Sequence, residues 1–440
     1  MSIGEIIYSL LLIATTTVLV FKARFFKLQG IRSWWLAAAF YLKVLAGLLM
    51  TVIYTRYYPD RSKADIFKYF DDSEVMYQSI HHAPMDYVKM VSGIQNDNAR
   101  FDSLYYSKMS NWYRKYETVT YNDSHTIIRI NALLRPISLG YFQIHNLFFI
   151  ILSFIGLVAL FRTFCQYFSG KSVWLFAAIF LIPSVVFWSS GALKESVLFF
   201  AIGIFMYAFQ RLLFISFTIP RVLLAIVGVF LLIFTKMYVL AVLAPILAAN
   251  IWIVLTNNRR ALFKFIISIL FFINAAILVG KIYPEYNAFE LLVGKQHDFI
   301  GLAHYENAGS FIDPLPIEPH FVSFAKNAPM AIANTLLRPF PNEISSVLMI
   351  PALFENILLV LFILLALFFH QSKILHWRII FLSLSFALIL SVILGLTTPV
   401  LGALVRYRIP VMPFLFIALF SIIDFKKIGL FIGIKQKTES

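Results

Sequence analysis

Residues 142–161 read Phe142-Gln143-Ile144-His145-Asn146-Leu147-Phe148-Phe149-Ile150-Ile151-Leu152-Ser153-Phe154-Ile155-Gly156-Leu157-Val158-Ala159-Leu160-Phe161, with Arg162 immediately after. The run holds no Asp, Glu, Lys or Arg. As a helix it covers about 30 Å, the thickness of a bilayer's hydrocarbon core. The rest of the chain repeats the pattern. Of 440 residues, 60% are apolar, 13% are charged and 46 are Phe. A soluble fold could not hide that much apolar surface, so the runs read as membrane-spanning helices. They predict an all-α polytopic transmembrane helix bundle of about 11 spans: 3–21, 34–54, 142–161, 173–188, 197–214, 219–234, 238–255, 263–282, 351–369, 379–396 and 408–424. Residues 219–255 are ambiguous. Only Thr235, Lys236 and Met237 separate two apolar runs there, with Gly228 and Pro245 nearby, so they read as a tight hairpin or as one kinked helix.

Threading these spans sorts the short loops by charge. One side collects Lys22, Arg24, Lys27 and Arg32, then Arg162 and Lys171, Arg211 and Arg221, Arg259, Arg260 and Lys264, Lys373 and Arg378, and finally Lys426, Lys427, Lys435 and Lys437. Short loops rich in Lys and Arg stay in the cytoplasm. The other side receives both long loops and all carboxylates except Asp424 and Glu439. The expected orientation is N-terminus outside and C-terminus cytoplasmic. The net charge of +15 belongs to orientation and to anionic lipid, so no nucleic-acid partner is expected. The first span lacks a basic leader and a small-residue cleavage site, and reads as an uncleaved helix. The single cysteine, Cys165, allows no disulfide within the chain.

Six segments follow: two spans over 1–54, an outer loop over 55–141, central spans over 142–282, a second outer loop over 283–350, C-terminal spans over 351–424, and a basic tail over 425–440. In the first loop Phe101, Leu104, Tyr105, Met109, Trp112, Tyr113 and Tyr116 recur at helical spacing, with Asp102, Lys108, Arg114 and Lys115 on other faces. That pattern predicts an amphipathic helix lying in the membrane interface. The second loop carries Pro314, Pro316, Pro319, Pro329, Pro339 and Pro341, which exclude long regular helix, with a second surface helix expected near 321–337. No internal repeat is visible, against the expectation for an inverted-repeat transporter.

Three clusters could carry chemistry. The first is Ala64-Asp65-Ile66-Phe67-Lys68-Tyr69-Phe70-Asp71-Asp72-Ser73-Glu74. Close carboxylates near lipid repel one another, which can raise one into the range of a general base. They can also hold a divalent cation through oxygen ligands, and no other cofactor is expected. A solvated helix cap is the plain alternative. The second is Pro183 through Ser196, with Ser189-Ser190-Gly191 and then Lys194-Glu195 at the mouth of the bundle. The third is a set of outer-face cations at span ends: Lys236, Arg338, Arg406 and Arg408. They read as lipid-phosphate anchors, or as groups neutralising the phosphate leaving group of a lipid carrier. Lys43, inside the second span, needs a polar partner or a snorkelling path. His81, His82, His125, His145, His297, His304 and His320 show no metal-ligand spacing, and no Gly-rich phosphate loop or nucleophile elbow is present.

On these residues the chain resembles bacterial polytopic glycosyltransferases of the GT-C type, the group that includes dolichyl-phosphate-mannose mannosyltransferase-like enzymes. Ala64-Asp65 with Tyr69 is similar to that group's Asp-x-x-x-Tyr element. Pro183 through Ser196 is similar to its Pro-then-acidic turn, and Arg406-Tyr407-Arg408-Ile409-Pro410-Val411-Met412-Pro413 to its Arg-Tyr-x-x-Pro-x-x-Pro start of a late span. The resemblance covers about a tenth of the chain. It departs from the group in an extra span before the first large loop, and in acidic residues spread over Asp65, Asp71 and Asp72.

The resemblance implies a GT-C-like fold in a bacterial inner membrane. It implies transfer of a sugar from a polyprenyl-phosphate donor to a glycan, lipid or protein acceptor outside the cytoplasm, for envelope glycan or glycoconjugate synthesis. Asp65 is then the expected base, with Asp72 second, and Glu195 assists or binds metal. Tyr69, Asp71, Lys194, Lys236, Arg338, Arg406 and Arg408 are the expected substrate-binding residues. Trp112, Tyr105 and Tyr106 are aromatic faces on which sugars could stack. Three other readings stand beside it: an O-antigen or exopolysaccharide polymerase or ligase leaning on arginine such as Arg129, a transporter or flippase, and a non-catalytic envelope scaffold.

Overall fold

The computed structural model describes residues 2–57, 60–113, 121–256, 259–372 and 376–431. About 80% of the described residues are helical, and there is no strand among them. The α-helices are α1 (Ile3–Lys22), α2 (Ser33–Tyr57), α3 (Asp65–Gln78), α4 (Pro84–Ser92), α5 (Ala99–Leu104), α6 (Ser124–Ser138), α7 (Phe142–Phe164), α8 (Ser172–Phe180), α9 (Pro183–Trp188) and α10 (Lys194–Phe214). They continue as α11 (Ile219–Leu255), α12 (Ala261–Ile282), α13 (Ala288–Tyr305), α14 (Phe321–Leu337), α15 (Ile350–Phe368), α16 (Trp377–Thr397), α17 (Leu401–Tyr407), α18 (Val411–Ile422) and α19 (Phe425–Phe431).

Among the described residues eight helices are long and apolar enough to cross a membrane, or nine if α17 and α18, bent by 60°, form one broken span. The protein is therefore a multi-pass all-α membrane protein, with fewer long spans than the eleven expected. Three places account for the difference between eleven runs and eight long helices, one of them the 408–424 run, where α17 and α18 are bent apart. Residues 173–188 are not one helix, because Pro183 cannot donate a backbone hydrogen bond and the chain breaks into α8 and α9 before it. Residues 219–255 are two helical stretches that meet at a kink at Lys236, where φ is −147° and ψ 73°, so two of the expected runs fall within one continuous element, α11.

The chain divides into two units, residues 1–165 with 186–240, and residues 166–185 with 241–440. In the first, α7 and α10 cross with no side chain between them. A Cβ on Gly156 would stand 2.2 Å from the Phe199 carbonyl oxygen, and one on Gly203 would stand 2.0 Å from that of Gly156. Small residues let helix backbones approach this closely in lipid, where dispersion and backbone contact replace the hydrophobic drive. Helix α1 lies beside α7 in the same sense. The Glu5 carboxylate accepts from the Gln143 backbone N–H at 3.0 Å, and at the other ends Arg162 donates to the Phe25 carbonyl at 3.1 Å.

Unit 1 thus has two poles about 30 Å apart, the length of α7 between these ties. One gathers Arg24, Lys27, Arg162 and Arg211, with the Arg162 and Arg211 guanidinium groups against the Tyr207 ring. The other carries the helices of the 60–138 segment.

That segment is not an interfacial amphipathic helix. Helix α5 stops at Leu104, a single 3-10 turn covers Tyr106–Lys108, and Met109 is extended. Phe101, Tyr105, Tyr106, Met109 and Trp112 are buried in the core of unit 1 with Ile127, Ile128 and Ala132 of α6. Protein covers these five side chains, while Leu104 and Tyr113 of the predicted apolar face are exposed. Arg114, Lys115 and Tyr116 of the predicted helix lie outside the described residues.

In unit 2 the prolines do not prevent long helix. They cluster before and after α14, with Pro329 inside it, and leave the 18-residue α13 intact. The helix expected near 321–337 is α14, which exposes Phe321, Val322 and Met330 on one face and packs with the other. It packs on α16 so closely that a Cβ on Gly395 would stand 2.1 Å from the Ala331 carbonyl oxygen, and Thr335 donates its hydroxyl to the Ser391 carbonyl at 2.8 Å.

Candidate functional site

The acidic cluster forms α3, whose periodicity separates its carboxylates. Ile66, Phe67, Tyr69, Phe70, Ser73 and Met76 are turned inward. Asp71 faces out in a paired contact with Arg61, at 2.7 and 2.9 Å. Asp72 is buried and accepts from the backbone N–H groups of Ser110 and Asn111, both at 2.8 Å. Burial raises its carboxyl above the ordinary value of 3.8, and those two N–H donors oppose the rise. Both Asp72 oxygens are therefore spent on fixing the 109–112 loop. This corrects its expected catalytic role: a base needs an approachable lone pair, and Asp72 is 3% exposed. Asp65, in the first turn of α3, is part-exposed, with the Lys68 ammonium 3.3 Å away. Tyr69 lies one helical turn beyond Asp65 on the same face.

The turn before α10 is held from below. Lys43, fully buried in α2, donates to the Ser189 carbonyl at 2.9 Å and to its hydroxyl at 2.6 Å. Ser153 donates to the same carbonyl at 2.6 Å, and Ser196 donates to the Gly191 carbonyl at 2.7 Å. Gly191 packs against Met50: a Cβ there would stand 2.5 Å from the Met50 sulfur, which would have to move. Lys43 thus takes a polar partner and does not snorkel. The turn it fixes starts α10 at Lys194 and Glu195, with Glu195 buried.

Lys194 and Lys236 converge on one carboxylate, which the sequence reading had not singled out. Asp123 receives Lys194 Nζ on Oδ1 at 2.6 Å and Lys236 Nζ on Oδ2 at 3.3 Å. Lys194 also donates to the Ser124 hydroxyl at 3.1 Å, and its ammonium lies 5.5 Å from the centre of the Tyr69 ring. Asp123 precedes α6 in a position where aspartate usually caps, yet its side chain makes no capping hydrogen bond. The non-helical residue in α11 is Lys236 itself. The break therefore falls where its ammonium meets Asp123. Tyr69, Asp123, Lys194 and Lys236, distant in sequence, form one cluster, with Asp65 a turn away on α3.

The sugar-stacking aromatics are already occupied. The Trp112 ring lies parallel to Tyr106 at 4.0 Å and to His125 at 3.7 Å, which fills both its faces. Burial pushes the Tyr106 hydroxyl up to about 12. Arg129 is likewise engaged, donating to the Met90 carbonyl at 2.9 Å and to the Tyr121 hydroxyl at 3.1 Å. Ser138, His145 and Asn131 have the linear order of a nucleophilic triad, with Ser138 Oγ 2.6 Å from His145 Nε2 and His145 Nδ1 2.7 Å from Asn131 Oδ1. All three are wholly buried, and the chain of bonds ties α6 to α7.

In unit 2 the three expected cations part. Arg408 has no exposed surface, and donates to the carbonyls of Thr335 and Arg338 at 3.0 and 2.9 Å, to Glu355 at 3.2 Å and to Asn356 at 2.7 Å. Glu355 in turn accepts from the backbone and hydroxyl of Ser184, at 2.8 and 2.9 Å. Arg408 is a structural tie between α14, α15 and the start of α9, which corrects its expected substrate-binding role. Arg338 pairs with Glu343 at 3.0 Å, and Arg406 is half-buried on α17.

Among the described residues no three His, Cys, Asp or Glu side chains are grouped to hold a metal ion. Comparison with known proteins adds no identity: no family model, no curated protein and no solved structure matches the chain.

Proposed function

We propose that this protein is an integral membrane glycosyltransferase, moving a sugar from a polyprenyl-phosphate donor to an acceptor at the extracytoplasmic face of a bacterial inner membrane. One observation carries the reading. Lys194 and Lys236 meet at a carboxylate at one end of unit 1, against the Tyr69 ring, one helical turn from the part-exposed Asp65. A membrane transferase needs a base and a phosphate-neutralising group at the same level, so that a lipid-borne donor can enter sideways.

In the proposed reaction Asp65 takes the proton of the acceptor hydroxyl. The oxygen attacks the anomeric carbon, and the bond from that carbon to the phosphate oxygen breaks with inversion. The departing polyprenyl phosphate carries the new negative charge, which Lys194 and Lys236 neutralise. The proposed steps assign no part to a divalent metal ion, Arg338, Arg406 or Glu195.

The test is Asp65→Asn in proteoliposomes supplied with polyprenyl-phosphate sugars. A general base contributes about 10²- to 10⁴-fold, so transfer should fall by that factor while the protein inserts and melts as wild type. Wild-type turnover by the variant removes Asp65 from the role. Absence of transfer by the wild-type protein with every such donor counts against the reading as a whole.

A further inference from the structure

We propose that Asp123 is an internal stand-in for a phosphoryl anion: its carboxylate holds the Lys194–Lys236 pair closed, and a phosphoryl group displaces it to bind. The inference rests on the lysine pair of the proposed function and adds its regulation. A carboxylate offers two oxygens, and here each takes one ammonium, at 2.6 and 3.3 Å, from two different helices. A phosphoryl group offers three oxygens at similar spacing with equal or greater charge, so it can satisfy both ammoniums and the Ser124 hydroxyl beside them. Asp123 is fit to be displaced. It makes no side-chain cap to α6, and its side chain is 17% exposed, more than either lysine at 9% and 10%. The lysines are differently mounted. Lys194 starts a helix fixed by the buried 189–196 turn, whereas Lys236 sits at the one non-helical residue of α11, where rotation of the backbone moves its ammonium.

The charge arithmetic sets the direction of the effect. While Asp123 occupies the pair, an incoming anion must displace a charge-assisted hydrogen bond from Lys194 and an ion pair with Lys236 before it makes its own contacts. Removing the carboxylate removes that competition, so affinity for a phosphoryl anion should rise. A carboxylate that only stabilises the fold predicts the opposite: its loss would loosen the lysines and weaken binding.

The experiment uses the full chain in detergent, with inorganic phosphate and farnesyl phosphate as the two probes, read by calorimetric titration. Asp123→Ala should bind at least about 10-fold more tightly than wild type, whereas Lys194→Gln and Lys236→Gln should lose binding. Tightening with farnesyl phosphate alone identifies a lipid headgroup as the ligand, and tightening with both identifies the phosphoryl group itself. Unchanged or weaker binding of both probes by a folded Asp123→Ala overturns the proposal. Wild-type protein supplies an independent measurement: farnesyl phosphate should slow acylation of Lys194 and Lys236 by a small amine reagent, followed by mass spectrometry, and no protection overturns it. Tightened binding without any sugar transfer would leave this switch standing and remove the transferase reading, so the two fail separately.

Discussion

Arg408 places its guanidinium among three backbone carbonyls, Glu355 and Asn356 at zero exposure. Removing one partner of a buried pair leaves the other charge uncompensated, which costs about 3–5 kcal/mol. Arg408→Met should therefore lower unfolding stability in detergent by that amount. Arg408→Lys should not restore it, because one ammonium cannot reproduce the planar fork. Stability within about 1 kcal/mol of wild type in Arg408→Met would show that the tie is dispensable. Asp72 gives a pH signature. Its folded carboxyl titrates above 3.8, so the native chain holds that proton more firmly than the unfolded chain. Its contribution is then fullest below 3.8 and declines as pH rises through the raised folded value. Asp72→Asn should remove that part of the slope when unfolding is followed across this window. An unaltered slope would place the linkage elsewhere. In sequence Asp72 is the second candidate for the base and Arg408 a candidate substrate-binding group, and burial among these partners gives both a part in holding the structure.

At the scale of elements, the α7–α10 crossing depends on two missing methyl groups. A Cβ at Gly156 meets the Phe199 carbonyl at 2.2 Å, backbone that no rotamer can move aside. Overpacking costs about 1–3 kcal/mol, so Gly156→Ala should lower the melting temperature clearly. Gly309→Ala is the comparison: a Cβ there meets nothing within 4 Å, and melting should not change. Equal melting of both variants would mean that α7 and α10 separate without cost. The sequence identifies α7 and α10 as helices through their apolar runs, but no local signal reports which glycines meet. The failure over 101–116 has the same origin. The apolar spacing is real, yet Tyr105 leaves the helical region at φ −126° and the apolar side chains turn into the core instead.

For the whole molecule, the two poles of unit 1 give the orientation a geometric form. The basic pole holds Arg24, Lys27, Arg162 and Arg211, and the other holds Asp65, Asp123, Lys194 and Lys236. Short basic loops remain in the cytoplasm, so the Asp123 pole is proposed to face outward. In a Cys165→Ser background, Ser62→Cys should react with a membrane-impermeant thiol reagent on intact cells, and Gln29→Cys should react only after permeabilisation. The reverse pattern would place the Asp123 cluster in the cytosol and remove access to an extracytoplasmic donor.

The sequence by itself determined that the chain is helical and crosses the membrane many times, because twenty-residue apolar runs have no other stable place. It also located most of the long helices, and it drew attention to Asp65, Tyr69, Lys194 and Lys236. Only the tertiary structure decided which charges meet: that Asp123 joins the two lysines, that Glu355 takes Arg408, and that Asp72 anchors a loop. The physical reason is that hydropathy is a local property of the chain, written into each run, whereas a buried charge is satisfied by a partner 38 to 113 residues away whose position follows from helix packing alone.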